Sequence, residues 1–346
     1  MDELKKTVIF ASPLPALPAS HTGPGLVDVQ MNGYAGFDFN SDPDTWTVED
    51  FYTVQRALAR RGVLRALPTL ITDDHRRMIA RARTYARLVD QAPDLRVAFP
   101  KLHIEGPFIS PVDGPRGAHP LAHCTTPRAL PDLLSALREA SGDRIGILTL
   151  APELPGALAL IERATEQGIC VALGHTGADA ETLARAVEAG ARLSTHLGNG
   201  SHQVLPRLDN YVHRQLAEDR LAASFIADGH HMPFPTLKNF IRAKTPRRSI
   251  LITDAIAAAD VGPGRYRLGR EEVIVSADLR VAQPGRPHLA GSALTLDRAV
   301  IHVCLHCDVS FTEAWAMAST QPAALIDLDA PPSITVCVSP NEFRGC

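Results

Sequence analysis

The chain has 346 residues, 45% of them hydrophobic and 21% charged, so it can bury a large core and is neither a disulfide-stapled mini-protein nor a disordered or fibrous chain. Lys and Arg number 35 against 38 Asp and Glu, and the resulting formal charge of −3 offers no electrostatic footprint for nucleic acid or an anionic membrane. No apolar run reaches the roughly 18 residues of a membrane span, and the conspicuous excess is histidine, of which there are 14.

From the N-terminus, two lysines precede an apolar stretch in the manner of an export signal. Asp2, Glu3 and prolines at 13, 15 and 18 break that pattern, and a cytoplasmic protein is expected. Beyond it, short apolar runs alternate with stretches of helical period, the pattern of βα units around a parallel sheet. Strands are expected at Leu26–Gln30, Val63–Leu67, Val97–His103, Ile145–Leu150, Cys170–Leu173, Arg192–Thr195, Leu221–Ile226 and Ser249–Thr253. Amphipathic helices are expected at Val48–Arg61, Asp73–Gln91, Pro131–Ala140, Pro155–Gln167, Asp179–Ala189, Tyr211–Leu216 and Pro235–Lys244, followed by Thr295–Cys307 and Thr312–Ser319. Eight repeats over this length predict a (β/α)8 barrel of the TIM type, with a doubly wound open sheet as the alternative. Arg265–Leu289 reads as a β-hairpin excursion. Val8–Phe10 and Ile334–Val338 are the one strand-like run at each end, so residues 26–327 are expected to form the barrel and residues 1–25 and 328–346 a small, reduced β domain. Six scattered cysteines suit a reducing compartment, and Cys304-Leu305-His306-Cys307 has no second pair and is expected in a buried helix.

In such a barrel the chemistry lies just past the strand ends. Those positions are polar here: Gln30 and Asn32 after strand one, Glu105 after strand three, His175 after five, His196 after six, Asp228 to His231 after seven, Asp254 after eight. Glu105, His175 and His196 supply a carboxylate and two imidazoles, the three-ligand, open-position set of a catalytic divalent ion. Zn²⁺ leads, and Fe²⁺, Co²⁺ and Mn²⁺ suit the same donors. A metal of this kind generates a hydrolytic nucleophile at neutral pH, and a carboxylate at Asp254 suits proton transfer from water to a leaving nitrogen.

The ordered series PGLVDVQMNGYAGFDF (24–39), HIEGPFISP (103–111), GAH (117–119), LGHTGAD (173–179), STHLGNG (194–200), FIADGHHMPFPTLK (225–238), LITDAIAAA (251–259), LAGSALTLDRAV (289–300) and MASTQPA (317–323) resembles the N-acetylglucosamine-6-phosphate deacetylases of the amidohydrolase superfamily. The resemblance implies metal ligands at Glu105, His175 and His196 and an acid/base at Asp254. It implies sugar contacts from Ala118 and His119, contacts from Asn199 and Gly200, a phosphate contact from Arg207 across a homodimer interface, contacts along the sugar phosphate from Asp228, Gly229, His230 and His231, and an acetyl pocket at Leu289, Ala290 and Gly291. Where many amidohydrolases carry His-x-His after strand one, Gln30 and Asn32 stand here; amides are poor ligands, and one ion per subunit is expected. Gly200 and Ser201 depart from the family's usual Ala and Met. The implied reaction is hydrolysis of N-acetyl-D-glucosamine 6-phosphate to glucosamine 6-phosphate and acetate, with the galacto epimer, another amide, or an inactive sugar-phosphate sensor as rivals.

Overall fold

The computed structural model describes residues 17–285 and 289–345, and the expected strand Val8–Phe10 lies outside them. Eight parallel strands neighbour one another in chain order: Leu26–Met31, Val63–Ile71, Leu102–Glu105, Ile145–Leu150, Cys170–Leu173, Leu193–Ser194, Ala222–Ile226 and Ser249–Ile252. The two edges of the sheet meet. Met31 bridges Ala255 in parallel, and the Asp254 N–H donates to the Gln30 carbonyl at 2.9 Å. The open-sheet alternative is thereby overturned: an open sheet would leave the first and eighth strands unpaired, whereas here they close a barrel. Ile145–Leu150 and Cys170–Leu173 are buried at every position, because side chains fill the barrel on one face and helices cover the other, which is why they read as unbroken apolar runs.

Local chemistry fixes where the helices begin. A capping box between Thr47 and Asp50 starts Val48–Arg60, the Asp74 side chain accepts from the first turn of His75–Val89, and Asp179 does the same for Ala180–Glu188. Two expectations shift. The apolar Val97 belongs not to strand three but to a helical turn, Pro93–Ala98, opened by proline at its first position, and is 57% exposed. Strand two continues through Pro68 to Ile71, where a shift in register against the first strand accommodates the missing N–H.

The excursion after the eighth strand is a three-stranded antiparallel sheet, Gly264–Leu268, Glu271–Val275 and Val281–Ala282. Its Val273, Val275 and Val281 form a second small core with Ile256, Ala290 and Ala293, against which Ile71 and Ala118 pack. This places the excursion over the C-terminal mouth of the barrel. At the other extreme of the chain, Ser20–Pro24 pairs antiparallel with Ser333–Val338, which pairs in turn with Phe343–Gly345. Cys124, Cys170, Cys304 and Cys307 are free, with Cys304 buried in the helix Leu296–His306, while Cys337 is disulfide-bonded.

Candidate active site

Glu105 ends strand three, and His175 and His196 follow strands five and six. His175, His196 and Asp254 all adopt positive φ, at +53°, +29° and +49°, a region that side chains other than glycine seldom occupy. The backbone therefore turns sharply at each strand end, and the side chains meet in the mouth. Glu105 Oε1 lies 2.9 Å from His196 Nε2 and 3.2 Å from His175 Nε2, and the two nitrogens are 3.1 Å apart. His119 Nε2 is 3.2 Å from His175 Nε2, and the ligand atoms of Glu105, His119 and His175 all lie within 4.8 Å of one another.

This crowding has an electrostatic meaning. His175 Nδ1 faces the Pro115 carbonyl at 2.9 Å, which only accepts, so Nδ1 carries the hydrogen and the Nε2 of a neutral ring is a bare lone pair. That lone pair faces a carboxylate oxygen and a second imidazole nitrogen, with His119 Nε2 also within reach. Two adjacent imidazolium rings would repel, whereas one divalent ion satisfies all three donors. Ligands at about 2.0–2.1 Å around a tetrahedral ion lie roughly 3.3 Å apart, close to the 2.9–3.2 Å separations seen here. The group fits a divalent metal site. Burial by itself would raise the Glu105 pKa, but bonding to His175 and His196 outweighs it and holds the carboxyl well below the usual range. His119 is pushed down to about 3, by burial and then by His175, and stays neutral.

Asp254 sits beside this group. Its Oδ1 accepts from Asn32 Nδ2 at 2.8 Å and from Gln30 Nε2 at 3.3 Å, and burial followed by the charge of Glu105 raises its pKa to about 6. Beneath the ligands lies a polar layer: His103 donates from Nδ1 to the Val29 carbonyl at 3.0 Å and accepts at Nε2 from Thr149 at 2.7 Å, and Thr149 is 2.7 Å from the hydroxyl of Thr195. Burial keeps His103 neutral, at about 4.

Glu105, His175, His196, Asp254 and Asn32 line a cavity of about 550 Å³, together with Ala118, His119, Asn199, Gly200, His231, Leu289, Ala290 and Gly291. Gly200, at φ +55°, lies flat against the His175 ring; a Cβ there would fall 2.6 Å from Nδ1. Asp228, Gly229 and His230 stand behind the wall. Asp228 accepts from the His231 backbone at 2.9 Å and from its Nδ1 at 2.7 Å, orienting the ring, while His230 Nε2 turns to the Asp278 carbonyl at 2.9 Å. Arg207 is exposed and does not line this chain's cavity. The sequence reading missed Thr72, whose hydroxyl holds His119 Nδ1 at 2.9 Å, and the buried pair of Arg81 and Asp73 at 2.8 Å. Thr72 carries no signature in sequence, and Arg81 is one of several arginines on a helix that reads as a solvated face.

Against known proteins, the chain is 36% identical over 326 residues to N-acetylglucosamine-6-phosphate deacetylase of Homo sapiens, spanning 88% of this chain and 74% of that one. It belongs to the N-acetylglucosamine-6-phosphate deacetylase family. The deacetylase family's relatives also include an N-acetylgalactosamine-6-phosphate deacetylase of Escherichia coli O157:H7, 33% identical over 313 residues and matched over 88% of this chain and 78% of its own. Among solved structures, the deacetylase of Mycobacterium smegmatis superposes with a TM-score of 0.81 at 25% identity, covering 94% of this chain and 88% of the other. No family model matches the chain. Among the described residues no helix is long and apolar enough to cross a membrane.

Proposed function

We propose that this deacetylase hydrolyses the acetamide of N-acetyl-D-glucosamine 6-phosphate, releasing acetate and the free amino sugar phosphate in the cytoplasm. The observation that carries the reading is the convergence of Glu105, His175 and His196 beside Asp254, in one cavity, in a chain of this family. One divalent ion per subunit, held by Glu105, His175 and His196, would supply Lewis acidity toward the amide carbonyl and a water acidified toward neutral pH. His196 is taken as the third ligand over His119 because its Nε2 is within 3.1 Å of both other donors. A single ion is supported by Gln30 and Asn32, whose amide N–H groups are committed to carboxylates.

Asp254 accepts the proton of the attacking water as the carbon–oxygen bond forms. It returns that proton to the nitrogen as the carbon–nitrogen bond breaks, so the amine leaves neutral. A pKa near 6 leaves Asp254 ionised at neutral pH and still basic enough for both steps. His119 would act as a second donor toward the developing oxyanion in the tautomer that carries its hydrogen on Nε2, the ring atom that faces the ligand group. Ala118, Asn199, Gly200 and His231 contact the sugar phosphate, with Asp228, Gly229 and His230 shaping that wall, and Leu289, Ala290 and Gly291 enclose the acetyl methyl.

Arg207 reads as the phosphate ligand of a second copy's cavity, in a homodimer. Its support is that Val204 and Leu208, 89% and 80% exposed, flank it on a loop whose earlier residues line the cavity. For the termini, the reading remains a reduced β unit from residues 1–25 and 328–346 on a 26–327 barrel, supported by the pairing of Ser20–Pro24 with Ser333–Val338. The test is acetate release from N-acetylglucosamine, N-acetylglucosamine 6-phosphate and N-acetylgalactosamine 6-phosphate after reconstitution with each divalent metal. The gluco phosphate is expected to turn over fastest; tight binding with no acetate released would favour a sensor.

A further inference from the structure

Gln30 and Asn32 stand two residues apart at the end of the first barrel strand, both buried and both turned into the barrel. Gln30 Nε2 donates to Glu105 Oε1 at 3.0 Å and to Asp254 Oδ1 at 3.3 Å, and Asn32 Nδ2 donates to the same Oδ1 at 2.8 Å. The two amides thus converge on one carboxylate oxygen. Among the described residues no hydrogen bond reaches Oδ2, and Asp254 borders the cavity. The backbone repeats the latch: Asp254 N–H donates to the Gln30 carbonyl at 2.9 Å, and Asn32 N–H to the Ala255 carbonyl at 2.8 Å.

The Asn32 amide also sacrifices something. Its Oδ1 is buried without a hydrogen-bond partner, which is unfavourable because the oxygen has given up its water. Turning the amide over would set that oxygen against the Asp254 carboxylate, so the orientation is dictated by the bonds that Nδ2 gives to Asp254, to Oδ1 at 2.8 Å and to the backbone carbonyl at 3.4 Å.

We infer that Gln30 and Asn32 are positioning residues that occupy Asp254 Oδ1 and leave Oδ2 as the single oxygen through which the proton is taken from water and handed to the leaving nitrogen. This rests on the role of Asp254 given above. A carboxylate free to rotate would offer either oxygen in several directions; with Oδ1 held from two sides, the proton enters and leaves at one place. Gln30, by bridging to Glu105, also fixes the spacing between the proton carrier and the ligand group.

The experiment is a double-mutant cycle. Asn32→Ala and Asn32→Asp are each made alone and with Asp254→Asn, and kcat, KM, bound metal and melting midpoint are measured. Asn32→Asp keeps the side-chain volume and replaces the donor by an acceptor, so the test survives if Asn32→Ala fails to fold. Either single substitution is expected to lower kcat by about ten- to a hundredfold, the scale of a misplaced catalytic group, with KM and metal content held. In the Asp254→Asn background neither should lower the residual rate further, because the effect passes through Asp254. An equal fractional loss in that background, or an Asn32→Ala enzyme with wild-type kcat, overturns the inference. Wild-type turnover by Asp254→Asn alone would overturn the role of Asp254 itself, a result readable apart from the other two.

Discussion

The two halves of the cavity are built on different principles. The half proposed to hold the metal stands on strand ends of the closed barrel: Glu105, His175, His196 and Asp254 are buried, and both imidazoles meet Glu105 Oε1 within 3.2 Å. The half proposed to hold the substrate stands on excursions, the loop that runs from Gly198 to Asp209 and the three-stranded sheet after strand eight, and there Val204, Arg207 and Leu208 are exposed. A barrel rim holds atoms to fractions of an ångström, as proton transfer and metal binding require, while loops can change length and sequence without disturbing it. On the proposed reading chemistry is separated from recognition, and substitutions in the two halves should fail differently.

The largest effect is expected in the half proposed to hold the metal. Chelation, or His196→Ala, should abolish acetate release, with added divalent ion restoring the wild-type enzyme but not the variant; a chelated, metal-free enzyme that still turns over would erase the distinction. Asp254→Asn should lower kcat by roughly 10²–10⁴-fold, the usual contribution of a general acid–base group, while elemental analysis finds metal unchanged. In the recognition half the signature should move to KM. Arg207→Ala should raise KM for the phosphorylated sugar by about ten- to a hundredfold, as for a lost charge-assisted hydrogen bond, and leave the unphosphorylated sugar unaffected. Equal losses on both sugars would place Arg207 outside phosphate recognition.

Gly200→Ala tests the seam between the halves. Its Cβ would lie 2.6 Å from His175 Nδ1 on a left-handed backbone, so a loss of about 1–3 kcal/mol in stability is expected, accompanied by weaker metal binding. The smallest effect concerns Asp28, below the site, which accepts from the Thr253 hydroxyl at 2.5 Å. Burial raises its pKa to about 7. The folded protein therefore holds a proton that the unfolded chain releases near pH 4, and stability from this group falls as pH rises from about 4 to 7 and is level above. Asp28→Asn should flatten that slope, so denaturation of wild type and variant at pH 5 and pH 8 should converge at the lower pH and separate in the variant's favour at the higher.

Much of the barrel was legible because its strands are short apolar runs bounded by polar ends. Ile145–Leu150 and Cys170–Leu173 match their expected limits to the residue. Val97 misled because an apolar residue in a turn opened by proline resembles the start of a strand. Glu105, His175, His196 and Asp254 could be picked out because each lies at or just past the end of an apolar run, and all barrel strands end on one side. Thr72, the Pro115 carbonyl and the pair of Asp73 and Arg81 had no such address, since each acquires its meaning only from a neighbour distant in the chain.

The sequence by itself determined the alternation of strand and helix, the candidate ligand donors and the membership of the family, because these depend on periodicity and on residue type at strand ends. Tertiary structure alone decided how those groups act together. Closure of strand eight onto strand one brings Asp254 against Gln30 and Asn32, and the Pro115 carbonyl selects which nitrogen of His175 is bare. Hydrogen-bond direction and donor spacing arise from packing between segments up to 224 positions apart, which no local pattern in the chain encodes.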